Sequence, residues 1–325
     1  MENKIDIVIL WVNGNDPKWV EEKNKYLGIQ GDSYINRFRD WDNLQYLFRG
    51  IEKYASWVNN VFFITWDHLP KWLNLKNEKL KIVRHQDFIP QEYLPTFNSN
   101  VIEMNLHRIK ALSSEFILFN DDLFILNNIE PEDFFKDNLP KDMYIEYKKK
   151  NCSKRHLILR KNYLQIVNKY FVKKQFVKNN FSKVINSKYG WSNLKTIKLL
   201  PSNNFHDFYC QHLTQPFLKE TFNTIWEKEY NALDCACKNR FRADTDIGTA
   251  VCRYWQILSG NFIPTNQIGK YFKVDDKDVI NAIEKRKYKI ICLNDATVNL
   301  DFENIKDNVN NAFEKIFPEK SSFEI

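Results

Sequence analysis

Phe116-Ile117-Leu118-Phe119 runs straight into Asn120-Asp121-Asp122. A short continuous apolar run reads as a strand buried on both faces of a parallel sheet. It opens at its C-terminal end, where α/β proteins hold ligands. Two adjacent carboxylates there repel each other unless positive charge sits beside them. A hard divalent cation, Mg²⁺ or Mn²⁺, suits them, because it takes oxygen ligands and shares them with a substrate phosphate. A solvated Asp-Asp turn is the structural alternative.

Other groups are spaced for chemistry. Asn100, Glu103 and His107 recur at i, i+3, i+7, opposite Ile102, Leu106 and Ile109. On a helix over 98–111 the Glu and His form an acid/base pair, or simply a polar face. Arg37 and Arg39 flank Phe38 ahead of a helix whose Leu44, Leu47, Phe48, Ile51 and Tyr54 form a buried face. Asp40 or Asp42 is placed to cap that helix, and a phosphate would suit the arginines at its start. The turn Asn13-Gly14-Asn15-Asp16-Pro17 offers backbone N–H groups to phosphate, with Trp11 and Asn13 against a base or sugar. Further on, His206 and His212 come close in sequence, and Arg240-Phe241-Arg242 leads to Asp246. Asp246 is placed to cap a helix carrying Ile247, Val251, Tyr254, Trp255 and Leu258.

The elements that must position these groups follow from periodicity. Apolar runs at 5–12, 61–66 and 81–85 read as strands, separated by helical patterns. The predicted class is α/β: a Rossmann-like or GT-A-like, mostly parallel sheet flanked by helices. Residues 1–140 and 201–325 are expected to form the core. Residues 141–200 read as a basic, mostly helical insertion, with helices near 163–171 and 181–189 that could meet an anionic polymer or lipid head groups. Helices are also predicted at 217–231, 276–286 and 303–317, with a strand at 288–293.

The net charge of +7 points to an anionic substrate or a basic surface, and does not by itself single out nucleic acid. Only 8 Gly and 10 Pro among 325 residues argue against disorder. No run approaches the ~18 apolar residues of a membrane span, and the N-terminus lacks a signal-peptide pattern. The expected location is the cytoplasm, with peripheral contact at the inner face of the membrane as an option. Six Cys without a CxxC pair read as reduced thiols. A zinc site from Cys235, Cys237 and a His is the minor alternative. Walker loops, GxGxxG, a Ser nucleophile elbow and internal repeats are absent from the sequence.

Together these stretches resemble the Stealth family, bacterial capsular-polysaccharide phosphotransferases related to the N-acetylglucosamine-1-phosphotransferase of lysosomal targeting. Four blocks carry the resemblance. The first runs from Ile5 to Asp16. The second, from Arg37 to Asp122, includes Ser56-Trp57-Val58, Pro70-Lys71-Trp72-Leu73, Leu94-Pro95-Thr96-Phe97-Asn98-Ser99-Asn100, Glu103, His107-Arg108 and Phe119-Asn120-Asp121-Asp122. His212 with Pro216 resembles the third, and Arg240-Phe241-Arg242 with Asp246 the fourth. The basic middle and about the last 60 residues lie outside the resemblance.

The resemblance implies transfer of hexose-1-phosphate from a nucleotide sugar, a UDP-sugar above all, to a glycan hydroxyl in capsule or exopolysaccharide assembly. It carries functional positions onto Glu103, Asp122, His212 and Arg242, with Asp121 as a metal-holding neighbour. Trp11, Asn13, Arg39 and Asn100 would hold the nucleotide and its phosphates. His212 or Glu103 would be the base, and direct attack or a covalent intermediate both stay open. No nucleic-acid partner is expected. The competing readings are a metal-dependent glycosyltransferase that releases UDP and, more distantly, a non-enzymatic module binding a polyanion or membrane.

Overall fold

In the computed structural model, residues 4–27, 39–148, 153–210, 212–295 and 301–325 are described. Four parallel strands form the centre: β1 (Ile5–Leu10), β2 (Val61–Thr65), β3 (Leu80–Arg84) and β4 (Glu115–Asn120). Their spatial order is β4-β1-β2-β3, and strand Gln215–Leu218 joins the β4 edge antiparallel. The chain steps outward from β1 to β3 and then returns past β1 to β4. That reversal opens a crevice beyond the C-terminal ends of β1 and β4.

These strands are continuous apolar runs because both faces are covered. Val8, Phe62, Ile64, Phe116 and Leu118 face one core. Ile7, Ile9, Phe63, Ile117 and Phe119 face the other. Helix Leu44–Tyr54 lies on the second face with Leu47, Phe48 and Ile51 buried. At Gly50 a Cβ would stand 2.6 Å from the Ile125 carbonyl oxygen, so only glycine lets this helix lie so close to β5 (Leu123–Ile125). β5 follows β4 through the Asp121-Asp122 turn. It pairs antiparallel with strand Ile290–Asn294, which pairs parallel with Gly269–Lys273. Helix Phe302–Ile316 closes this side, stacking Phe313 on Tyr46 at 5.2 Å.

The basic middle is helical, chiefly Lys154–Tyr170, Lys173–Asn179 and Asn193–Ile197. Its Tyr163, Ile166, Val167 and Phe176 share the core with Val8 and Phe116. Tyr163 meets Tyr254 edge-on at 5.4 Å. Two fully buried groups, Lys173 and Glu146, pair at 2.8 Å, and His206 Nδ1 lies 2.9 Å from the same carboxylate. Removing one partner of such a pair leaves an uncompensated buried charge, at a cost of about 3–5 kcal/mol.

Several predicted elements differ. The helix expected over 98–111 stops after Ser99–Met104 and gives way to a 3₁₀ turn, Leu106–Arg108. Asn105 is the cause: its side-chain Nδ2 donates to the Val101 carbonyl at 2.8 Å, taking the acceptor a continuing helix would use. The helix expected over 217–231 starts only at Lys219, because Gln215–Leu218 is the edge strand that tolerates Pro216. The helix expected over 181–189 ends at Val184, and a 3₁₀ stretch, Ser187–Ser192, follows. Neither Asp40 nor Asp42 caps Leu44–Tyr54. The residue before that helix is Asn43, Asp42 has φ 51°, and Asp40 Oδ1 accepts the Asp42 N–H.

Candidate active site

The crevice at the strand reversal gathers residues from distant parts of the chain. β4 delivers Asn120, Asp121 and Asp122. Strand Gln215–Leu218 runs the opposite way, so its beginning lies beside the end of β4 and places His212 there. His212 Nε2 stands 3.3 Å from Asp122 Oδ2 and 3.1 Å from Asn120 Nδ2. Across the turn, strand Ile290–Asn294 brings Cys292 Sγ within 3.3 Å of Asp122 Oδ2, and the Leu293 N–H donates to the Asp122 carbonyl.

Charge follows from this geometry. Burial opposes ionisation of Asp122, but the His212 charge and hydrogen bonds from His212 and Cys292 outweigh it and hold the carboxyl below its usual range. Burial works against the His212 proton too. Asp122 foremost, then Glu103 and Asp121, prevail and raise its pKa above 6.5. Desolvation and then the Asp122 charge push Asp121 up to about 7. His212 and Asp121 both keep an exposed edge, and water there softens the burial contributions. Burial raises the Cys292 thiol strongly, so it stays protonated and donates to Asp122.

Glu103 and Arg242 complete the group. Glu103 Oε2 accepts from Thr249 Oγ1 at 2.8 Å. Burial raises its pKa against the opposing pull of Thr249, Arg242 and His212. Arg242 Nη2 donates to Ser99 Oγ at 3.1 Å. The loop that carries Arg242 and Thr249 is tied down by Asp246, whose buried oxygens accept from Asn98, Asn100 and Asn239 side chains and the Ala243 N–H. Asp246 is therefore no helix cap. The helix starts later, at Ala250, and the carboxylate is the knot between two loops.

Trp11 and Asn13, expected on the nucleotide side, follow directly after β1. Trp11 packs on Phe63 at 5.5 Å and on the edge of His68 at 5.2 Å. The Asn13 N–H donates to His68 Nε2, and the Asn15, Lys18 and Trp19 N–H groups go to Asn13 and Asp16 side chains. In this structure these donors are taken up by His68 and by the Asn13 and Asp16 side chains. Asn100 gives its amide to Asp246. Arg39 lies over the Phe302 ring at 4.7 Å, with Nη1 3.4 Å from Asp295 Oδ2. Arg37 lies outside the described residues.

Two sequence readings fail. His107 does not pair with Glu103: it sits on Phe222 and Trp226, 6.2 and 5.8 Å away, and burial lowers its pKa to about 4. Cys235 and Cys237 form no metal site. Cys237 is buried against Asn105 and Cys235 points to solvent. Among the described residues, the His/Cys/Asp/Glu group with ligand-type spacing is Asp122, His212 and Cys292. Of these, Cys292 had no local signal, since only the pairing of Ile290–Asn294 with β5 brings it there.

Beside His212, a cleft continues along Tyr209, Cys210, Leu213, Gln215 and Gln267. Its floor is a buried two-pronged ion pair, Arg253 Nε and Nη2 on the Asp142 oxygens at 2.8 and 2.7 Å.

Family models match residues 3–31 as Stealth protein conserved region 1, 37–143 as conserved region 2 and 281–325 as conserved region 4. The fourth region is thus the C-terminal segment with strand Ile290–Asn294, not the Arg240–Asp246 stretch, and the resemblance reaches the end of the chain. The chain is 45% identical to a capsular polysaccharide phosphotransferase WcwK of Streptococcus pneumoniae, over all of both chains. It is 36% identical to the receptor polysaccharide phosphotransferase WefC of Streptococcus oralis, covering 99% of this chain and 100% of that one. It is 34% identical to the exopolysaccharide phosphotransferase cps2G of Lactiplantibacillus plantarum, with 98% and 96% covered. Among solved structures, a galactosyltransferase LgtC complex matches with a TM-score of 0.39 and 8% identity over 94% of this chain and 95% of that one. At that TM-score the likeness carries no functional weight. The non-enzymatic alternative falls with the full-length relatives. The chain belongs to the Stealth family and is an enzyme of the phosphotransferase type.

Proposed function

We propose that the protein moves hexose-1-phosphate from a nucleotide sugar, a UDP-sugar, to a glycan hydroxyl in the cytoplasm, building a phosphodiester of a capsular or exopolysaccharide. The observation that carries this is the meeting of Asp122 and His212 at the sheet reversal, with Glu103 and Arg242 in electrostatic reach.

The acceptor oxygen attacks the sugar-bearing phosphorus, and the nucleoside monophosphate leaves. Charge accumulates on phosphate oxygens, so cationic groups dominate the stabilisation. Arg242 offers its planar fork to those oxygens. Neutral His212 takes the acceptor proton, and Asp122 stabilises the resulting imidazolium. Glu103, held by Thr249, balances the charge of Arg242 and His212. Trp11, Asn13, Arg39 and Asn100 border the donor side, and the cleft along Tyr209 and Gln215 receives the acceptor.

Mg²⁺ or Mn²⁺ fits the carboxylate pair. Asp122 Oδ2 is engaged by His212 and Cys292, while its Oδ1 is buried without a hydrogen-bond partner. Asp121 and Asp122 would hold the ion, which would offset the charge of the diphosphate.

The test is phosphorus NMR on the protein incubated with UDP-sugars and an oligosaccharide acceptor. Release of UMP with a new phosphodiester signal is expected, and release of UDP would refute the reading. Asp122→Asn should lower UMP release at least about 100-fold, in line with loss of a key electrostatic group.

A further inference from the structure

Residues 148–206 contain 15 Lys and Arg and no Asp or Glu. The remaining 33 of the chain's 48 basic residues face all 41 acidic ones elsewhere. The positive excess of the protein therefore resides wholly in this segment. Within it, Gly190 bends the chain at φ 50° and ψ −134°, a conformation that side chains disfavour. A short helical stretch follows. Trp191, Leu194 and Ile197 recur every third residue, which puts them on one side of it. They are 88%, 50% and 45% exposed. Thr196 points the other way and is buried, its Oγ1 accepting the Glu146 N–H, so the stretch is anchored inward and presents its apolar side outward. Lys188, Lys195 and Lys198 are exposed around these three residues.

We propose that residues 187–198 dock the enzyme on an anionic lipid bilayer. A soluble polyanion needs only the lysines. An exposed Trp, Leu and Ile ringed by lysines matches a bilayer interface, where Trp sits at headgroup depth, aliphatic side chains enter the acyl boundary and lysines meet anionic headgroups. No helix among the described residues is long and apolar enough to cross a membrane, so the contact is peripheral. The patch also borders the cleft beside His212. Lys188 Nζ donates to the Pro264 carbonyl next to the cleft residue Thr265, and Lys195 Nζ lies 5.1 Å from the Tyr209 ring centre. Docking here would set the cleft mouth against the membrane surface. The proposal does not depend on the donor or acceptor assigned above.

The full-length protein is sedimented with vesicles of phosphatidylcholine alone or mixed with phosphatidylglycerol. Binding to the anionic vesicles, weakened by salt, is expected. Replacing Lys188, Lys195 and Lys198 by Gln should lower partitioning about 100-fold, roughly 5-fold per lysine. Trp191→Ala with Leu194→Ala and Ile197→Ala should lower it at least about 10-fold. Trp191→Ala alone, at the most exposed of these residues, guards against misfolding of the multiple variants and should also weaken binding. No sedimentation with anionic vesicles overturns the proposal. So does undiminished binding of the apolar variants together with displacement by dextran sulfate, which would mark a polyanion groove.

Discussion

Asp246→Asn probes the scaffold of the site, and its effect can be worked from the hydrogen bonds. The carboxylate is 2% exposed. Its Oδ1 accepts from Asn98 Nδ2 and Asn239 Nδ2, both at 3.0 Å. Its Oδ2 accepts from Asn100 Nδ2 at 3.1 Å, the Ala243 N–H at 3.1 Å and Arg155 Nη2 at 3.4 Å. Asparagine keeps the shape but turns one oxygen into an NH₂ group. On the first side it confronts two donors, on the second three, one of them cationic. At least two hydrogen bonds to a charged acceptor are lost, each worth about 1.5–3 kcal/mol. Relaxation recovers part, so the expected loss is about 3–5 kcal/mol, a large share of a typical total stability. Urea denaturation followed by far-UV circular dichroism measures it, with Asp244→Asn as a control in the exposed part of the same loop. The control should stay within about 0.5 kcal/mol of the parent. Turnover should fall as well, because the loop positions Arg242 and Thr249. An Asp246→Asn protein within about 1 kcal/mol of the parent would show that the knot does not hold the loops together.

Two further outcomes follow from the site. In metal-free protein the His212 ring should titrate above 6.5, and Asp122→Asn should move its midpoint down, since the largest counterweight to burial is gone. NMR of the ring protons reads this directly, and an unmoved midpoint would break the assigned pair. His107→Phe should leave kcat within about 2-fold of the parent, because the ring packs on aromatics and takes no part in chemistry. A larger kcat loss at unchanged stability would return His107 to the catalytic group.

The parallel sheet was legible because buried strands must be continuous apolar runs, and β1, β2 and β4 are. Asp121 and Asp122 were legible for the same reason, as a polar cluster ending such a run. What escaped was set by contacts remote in sequence or by side chains competing with the backbone. Asn105 ended a helix whose apolar spacing continued past it. Gln215–Leu218 is too short for its period to tell strand from helix, and only its ladder with β4 decides. Asp246 looked like a cap because capping and loop-tying carboxylates are the same residue type in the same kind of sequence. No local pattern joins His212 or Arg242 to β4, and the block through which the resemblance singled out Arg242 is not the fourth region, which lies at 281–325. The strand at 288–293 was legible, but nothing local shows that it pairs with β5 and so brings Cys292 to Asp122.

The antiparallel entry of Gln215–Leu218 makes segment length matter unevenly along the chain. Leu213 and Thr214 are the whole spacer between His212 and a strand whose register on β4 pairs Gln215 with Leu118. One inserted residue there would displace the imidazole by about 3.3 Å, a full strand step, or reverse the side on which it emerges. Insertions at a surface turn such as Asn203-Asn204, outside the strand that carries the His212 spacer, should leave the His212–Asp122 pair in place. A scan of single-residue insertions should therefore map a narrow intolerant window at 213–214 within a far more permissive stretch.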